Sequence, residues 1–271
     1  MIPKIIHYCW FGGNDKPELV EQCIQSWKRI CPDYKLMEWN ESNFNVNCIP
    51  YVSDAYADQK WAFVSDYARL YIIYNYGGIY LDTDVLLHHS FDELLIYDCW
   101  LASDDVRYIS TGLGFGAKKG HPLIKCMMDA YREYKYPFGT NVTRDTPIVE
   151  RELPQWKKSN KSQQIDNILL IGLNDYGKYA KHLYTYTWAD ETTQKKRKAE
   201  IIKGKNSQLS VKLVWKIKCF VRSPKIISYF DSKRGYKCEK IYTFLAYDLL
   251  DCGLLYYIKL TIHKFFKKHD G

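Results

Sequence analysis

Two aspartates, Asp82 and Asp84, stand two residues apart in the stretch YGGIYLDTDVLL at 76–87, in an otherwise apolar run directly after a glycine pair. On a strand or strand end, side chains at i and i+2 point to one side, so both carboxylates can converge on one object. Left unpaired they would repel each other and resist burial. Hard divalent cations want oxygen ligands, and Mg²⁺ or Mn²⁺ is usually held by one or two carboxylates completed by substrate phosphates. Asp-x-Asp is therefore half of a metal site that a diphosphate would finish. Upstream, Asp66 and Arg69 in SDYAR are three residues apart, which makes them neighbours on one helix face. Alone they would be a surface ion pair worth a few tenths of a kcal/mol. Because their helix leads through Gly77 and Gly78 into the DTD run, the pair can sit beside Asp82 and Asp84. A third group is His7, Trp10 and the Gly12–Gly13 pair in HYCWFGG. Trp10 offers an indole face on which a base could stack, and His7, on a mostly apolar strand, has the character of a hydrogen-bonded buried residue.

These residues need elements to hold them. Residues 4–11 are β-branched and aromatic and end at Gly12–Gly13, which predicts a first strand. PELVEQCIQSWKRI follows as a helix, with Pro17 suited to a first helical position, and YKLMEW at 34–39 reads as a second strand. That β-α-β opening is the usual half of a nucleotide-binding sheet, with the nucleotide at the loop after the first strand. Residues 40–58 are polar and predict loop with a short helix. Residues 61–76 predict a helix with Gly77 as a left-handed C-cap, and 78–87 a strand and strand end. Residues 98–117 alternate short apolar runs with turns, 121–134 predict a helix and 165–173 a strand. GTNVTRDTPI at 139–148 reads as a loop. GLGFG at 112–116 lacks the spacing and context of a dinucleotide fingerprint, and no phosphate-loop or nucleophile-elbow motif occurs.

Length and charge bound what surrounds the site. A chain of 271 residues suits one domain with an appendage, and 46% hydrophobic with 26% charged residues is ordinary for a globular protein. The 24 Tyr and 8 Trp raise the aromatic share to 16%, a composition that suits stacking and sugar-facing surfaces. Nine Cys without a zinc-ligand pattern read as reduced thiols of a cytosolic protein. The N-terminus reads as a strand and not a signal peptide, and no window has the roughly 18 apolar residues of a membrane span. The net charge of +8 is uneven: residues 195–271 hold 19 Lys+Arg against 6 Asp+Glu, while residues 1–194 are net acidic. Residues 254–268 repeat apolar positions at three or four beside lysines, the pattern of a basic amphipathic helix able to lie on anionic lipid. The domain reading is thus 1–194 catalytic and 195–271 a basic helical extension.

Taken together, HYCWFGG and AFVSDYARLYIIYNYGGIYLDTDVLL resemble the DXD sugar transferases of glycosyltransferase family 32, with a more distant likeness to the catalytic domain of the large glucosylating toxins. The likeness covers residues 1 to about 125. It implies a GT-A fold, a Rossmann-like mixed sheet flanked by helices, and a retaining glycosyltransferase that uses a nucleotide-sugar donor, UDP-hexose or UDP-HexNAc, with Mn²⁺ or Mg²⁺. It implies that Trp10 stacks on the uracil, that Ser65, Asp66 and Arg69 hold the donor sugar and phosphate, and that Tyr80 reaches the diphosphate. By the same likeness Asp82 contacts ribose and sugar hydroxyls and touches the metal only indirectly, while Asp84 ligates it. Asp66, Arg69 and Asp82 make the catalytic set; His7 and Gly78 complete the expected donor-binding group. The family's His-rich segment ending in Ser-Trp is missing. The nearest stretch is TYTWADETTQKK, so the third metal ligand is left open among Glu191, Asp190 or a residue of 182–188. The bacterial members of the family suggest a glycan or lipid-linked oligosaccharide acceptor in surface polysaccharide synthesis, capsule or lipopolysaccharide. The expected location is cytoplasmic, at the inner face of the cell membrane in contact with anionic lipid, with no nucleic-acid partner.

Two other readings compete. A haloacid dehalogenase-type phosphohydrolase also places DxD after an apolar strand, with the first Asp as nucleophile. It lacks here the usual Gly-Thr continuation and leaves Trp10 and SDYAR unexplained. A basic protein binding nucleic acid or membrane would rest on the C-terminal charge alone.

Overall fold

The computed structural model describes residues 1–103, 108–137 and 139–183. The extension predicted for 195–271, with its amphipathic helix, and the candidates Asp190 and Glu191 lie outside these residues.

Alternation along short strands builds a core on both faces of one sheet. In β1 (Ile5–Cys9), Ile6 and Tyr8 point to one face and His7 and Cys9 to the other; in β5 (Cys99–Ala102), Trp100 and Ala102 oppose Cys99 and Leu101. The first face is covered by α1 (Glu18–Ile30), which buries Val20, Cys23, Ile24 and Trp27. On the second lie α2 (Pro50–Ala57), α3 (Trp61–Tyr76), α4 (Pro122–Ala130) and α5 (Asn141–Glu152), which contribute Val52, Leu70, Ile124 and Val149 to a separate cluster. A sheet buried on both sides in this way needs near-continuous apolar strands at its centre, and β5 is one, as is β1 apart from His7.

The seven-stranded sheet runs β2-β1-β3-β6-β5-β8-β7, with β2 at Lys35–Trp39, β3 at Gly78–Tyr80, β6 at Phe115–Ala117, β7 at Gln163–Ile165 and β8 at Ile168–Ile171. β1 pairs in parallel with both β2 and β3, while β6 is antiparallel to β3 and β5. The mixed sheet flanked by helices agrees with the GT-A expectation. A second ladder joins β4 (Val85–Leu87) to β9 (Ala180–His182), after the short helix α6 (Leu173–Tyr176).

The helix predicted at 61–76 is α3 itself, and the β-α-β opening is present. Three expectations change. The run 78–87 is two strands in different sheets: the Val85 amide donates to the Asp82 carbonyl (3.1 Å), and this turn carries the chain out of the large sheet. The strand expected at 165–173 is the β7–β8 hairpin and its exit. The loop expected at 139–148 is most of α5, begun where Thr140 donates its amide to the Thr143 hydroxyl (2.9 Å). Its buried stripe includes Arg144 and Asp145, so burial there does not look apolar in the sequence, and Pro147 inside the helix argues locally against it.

Two glycines and a histidine fix how α3 meets the sheet. Gly77 closes α3 at φ +67° with extended ψ, and a Cβ there would lie 2.8 Å from the Lys119 amide. Gly78, at φ +104°, would place a Cβ 2.8 Å from the Ile5 carbonyl and 3.0 Å from His7 Nε2. His7 is fully buried, accepts from Trp39 Nε1 (3.0 Å) and donates from Nε2 to the Gly77 carbonyl (2.9 Å). Burial pushes its pKa down from 6.5 to about 4, so the ring is neutral. Because the folded pKa is the lower one, the unfolded chain binds the extra proton between about pH 4 and 6.5. Stability is whole above that window and is lost as pH falls through it, by up to about 3 kcal/mol. Urea melts of wild type and His7→Gln at pH 7 and pH 4.5 should show a smaller drop in the variant; equal drops would refute this role for His7.

Candidate active site

The site lies where β3 ends. Leu81 donates to the His7 carbonyl (3.1 Å) and the Asp82 amide to the Gly112 carbonyl (3.3 Å), so the DTD turn is tied to the end of β1 and to the Gly112 segment. The same-side convergence expected of a strand is therefore produced by a turn. Asp82 is held from one side: its Oδ1 receives Tyr80 OH (3.0 Å) and Arg69 Nη2 (3.1 Å). Its Oδ2 faces Gly112, where a Cβ would sit only 2.5 Å away.

Arg69 is the hub. Its side chain is 3% exposed; it lies against the Tyr80 ring (5.0 Å to the centroid), reaches Asp66 Oδ1 (3.2 Å), and donates from Nε to the Ser65 carbonyl (3.2 Å) and from Nη1 to Thr111 Oγ1 (3.4 Å). The i,i+3 spacing that reads as a surface pair is thus on the buried face of α3. Asp66 Oδ2 receives Arg144, whose guanidinium is wholly buried. Thr111 donates to Asp145 Oδ2 (2.8 Å) and receives Asn141 Nδ2 (3.3 Å).

Carboxylates in such a place lean toward the neutral form. Burial pushes Asp82 up to about 6, and the Asp84 charge adds to it while Arg69 opposes. Burial likewise pushes Asp145 up to about 7, with Asp66 adding and the Thr111 hydrogen bond opposing.

Asp84 is joined by a residue that the sequence left open. In the β4–β9 register Val85 lies opposite His182, and Leu183 donates its amide to the Asp84 carbonyl (2.9 Å). His182 Nε2 thereby comes within 3.0 Å of Asp84 Oδ1, and one ligand atom each from Asp82, Asp84 and His182 falls within 4.8 Å of the others. Two crowded carboxylates, one of them pushed toward protonation, with an imidazole, form a donor set that a divalent cation would satisfy. The residues fit a metal.

Several expected roles are corrected by where the side chains lie. His7 has both ring nitrogens occupied and no exposed surface, so it supports the α3–β3 junction and leaves no atom for a nucleotide. Gly78 is buried against β1 and cannot touch a donor. Tyr80 is 1% exposed and spends its hydroxyl on Asp82, so it orients that carboxylate and does not reach outward. Ser65 donates within its own helix to the Trp61 carbonyl (2.9 Å). Trp10 is half-buried, its Nε1 donating to the Asn14 carbonyl (2.7 Å), with Lys16 Nζ 5.9 Å from the ring centroid. Beside it, Gly12, Gly13, Asn14, Glu41, Tyr56 and Trp61 line a cleft of about 480 Å³.

Thr111, Asn141, Arg144 and Asp145 were not singled out from the sequence, and His182 stood there only as one end of the open set 182–188. Only the adjacent Arg144–Asp145 pair carried a signal there, two opposite charges in a segment otherwise read as loop.

A turn of paired aspartates, clamped by an arginine from the preceding helix, is the arrangement expected of a DXD motif. Residues 17–101 match the family described as glycosyltransferase sugar-binding region containing DXD motif. The chain is 32% identical over 155 residues, 54% of its length and 43% of the relative's, to inositol phosphoceramide mannosyltransferase 3 of Schizosaccharomyces pombe. It is 30% identical over 150 residues, 54% of its length and 39% of the relative's, to human alpha-1,4-N-acetylglucosaminyltransferase. The matched part spans less than half the length of either. A solved structure titled PaToxG Glycosyltransferase shares 19% identity over 56% of this chain and 70% of its own, with a TM-score of 0.48. The resemblance read from the motifs is borne out: the chain is similar to the family 32 type of DXD glycosyltransferase, and the two relatives above are named as a mannosyltransferase and an N-acetylglucosaminyltransferase.

Proposed function

We propose that this chain is a metal-dependent hexosyltransferase that moves a sugar from a nucleotide-sugar donor to a hydroxyl of a glycan or lipid-linked acceptor. The observation that carries the reading is the convergence of Asp82, Asp84 and His182 beside the Arg69–Asp66 pair. A divalent cation held there would neutralise the donor diphosphate and stabilise the charge that develops on it as it leaves. One imidazole among carboxylates tilts the set from Mg²⁺ toward Mn²⁺. Arg69 and Asp66 orient the sugar and the bond to be broken, and their burial lends that orientation rigidity. Positioning and electrostatics then supply most of the catalysis, and no protein nucleophile is required for transfer with retention.

The cleft of about 480 Å³ that begins at Gly12, just after β1 and two residues past Trp10, is the proposed nucleoside site. UDP-hexose or UDP-HexNAc is the proposed donor. One relative is named for mannose and another for N-acetylglucosamine, so GDP-mannose belongs in the same test. The charge of 195–271 supports an acceptor at an anionic membrane, the inner face of the cell membrane for a lipid-linked oligosaccharide of surface polysaccharide synthesis. Incubation with UDP-glucose, UDP-N-acetylglucosamine, UDP-galactose and GDP-mannose plus Mn²⁺ should reveal slow hydrolysis of at least one, abolished by a chelator. Absence of binding and hydrolysis for all four would sink the reading. Phosphate release from a generic phosphomonoester, lost in Asp82→Asn, would install the phosphohydrolase in its place.

A further inference from the structure

We propose that Arg144 and Asp145, consecutive residues of α5, are positioning residues that hold Arg69 on Asp82; the inference rests on the sugar-transferase reading above. Arg69 faces two carboxylates at once, Asp66 Oδ1 at 3.2 Å and Asp82 Oδ1 at 3.1 Å, both through the same Nη2. A guanidinium beside a carboxylate on its own helix would ordinarily close on it with two parallel hydrogen bonds. Here the second oxygen of Asp66 is taken by Arg144. Asp66 is thus shared between two guanidinium groups, and Arg69 is left free to reach Asp82. The other edge of Arg69 is fixed through Thr111, whose hydroxyl lies 3.4 Å from Nη1 and donates to Asp145 Oδ2 at 2.8 Å. Two neighbouring residues of one helix therefore bracket Arg69, one through Asp66 and one through Thr111.

A link that merely glued α5 to α3 would not need charge. Burying an ion pair is often no better than apolar residues of the same volume. Arg144 is nonetheless wholly buried, boxed by the rings of Tyr51, Phe63 and Tyr131 at 5.2, 5.8 and 5.0 Å from its guanidinium carbon, and it donates to the Tyr51 hydroxyl. Asp145 is wholly buried too, with Oδ1 lacking a hydrogen-bond partner among the described residues. What these costly groups provide is geometry for the carboxylates and arginine that face the donor.

The test uses the full chain and whichever of UDP-glucose, UDP-N-acetylglucosamine, UDP-galactose and GDP-mannose the wild type hydrolyses with Mn²⁺. Arg144→Gln should lower kcat/KM about 30-fold with Mn²⁺ affinity unchanged, and Arg144→Lys, which keeps the charge, should recover part of the loss. In an Asp66→Asn background Arg144→Gln should add less than about threefold, because its route of action is already gone. Asp145→Asn, which keeps an acceptor for Thr111, should be milder than Asp145→Ala. Losses that multiply in the double variant, or an Arg144→Gln protein that melts earlier yet keeps kcat/KM within twofold, would overturn the inference while leaving the sugar-transferase reading intact. If Arg144→Gln does not fold, Arg144→Lys carries the decision: wild-type kcat/KM with an unchanged metal affinity counts against the inference. A wild type inert to all four donors overturns the underlying reading and this inference with it.

Discussion

Asp84→Ala is expected to lower donor turnover by at least about 10³-fold, roughly 4 kcal/mol of transition-state stabilisation, and to remove Mn²⁺ binding as seen by calorimetry. The reason lies in its place. Asp84 is the member of the trio that lies 3.0 Å from His182, and it holds β9 through its own carbonyl as well. The carbonyl contact survives substitution, so the fold should survive too. Without metal, the lost Asp84–His182 contact is offset by relief of the repulsion on Asp82, so the melting temperature should change little. Asp82→Ala should differ in kind: it strands Arg69 and the Tyr80 hydroxyl, so donor affinity and stability fall together. If Asp84→Ala retains metal-stimulated hydrolysis, the assignment of the metal to this turn is wrong.

Arg69→Met should be the most destabilising single change at the site, costing about 3–5 kcal/mol, the range for breaking a buried ion pair from one side. Arg69 is the shared partner of Asp66 and Asp82 and the donor to the Ser65 carbonyl. Its loss leaves Arg144 to satisfy Asp66 alone and only His182 to oppose the repulsion between Asp82 and Asp84. A urea melt should show the drop directly. It should also be smaller near pH 5, where the orphaned Asp82 can take up a proton, than at pH 8. Loss of stability that is the same at both values would mean that Asp82 is not the group left exposed. Activity should fall below detection in either case, whereas Arg69→Lys should fold and remain nearly inactive, because an ammonium cannot span Asp66, Asp82 and Thr111 together.

The legible part of this molecule was its first third. The glycine-ended first strand, the periodic helix 61–76 and the DTD run each follow local rules, and the structure brings Asp66 and Arg69 of the helix to Asp82 of the DTD run. Legibility failed where a local rule, or the family likeness, pointed the wrong way. His7 is the hydrogen-bonded buried residue that its apolar strand suggests, and the family likeness that cast it as a donor ligand misses that it is enclosed by β1, β2 and the end of α3. Tyr80 alternates toward the site, yet what it meets is Asp82 two residues on. In α5 the sequence offers Thr, Asn, Arg, Asp and Pro, a composition that favours loops. It is helical because Ile148 and Val149 reach the core and because Arg144 finds Asp66 on α3. His182 could not be chosen from the open set of 182–191, since its approach to Asp84 is fixed by the register of a three-residue strand whose partner lies far back in the chain.

That small ladder changes how the chain experiences its substrates. Among the described residues β4 and β9 share three residue pairs and pair with no other strand, so the contact closes a long loop for few hydrogen bonds. A cation gripped by both strands at one end of the ladder would act as a removable staple, holding together two segments whose separation is otherwise favoured by chain entropy. Occupancy would then be readable as order: amides of 180–183 should exchange with solvent quickly in the metal-free chain and slowly once Mn²⁺ and donor are bound.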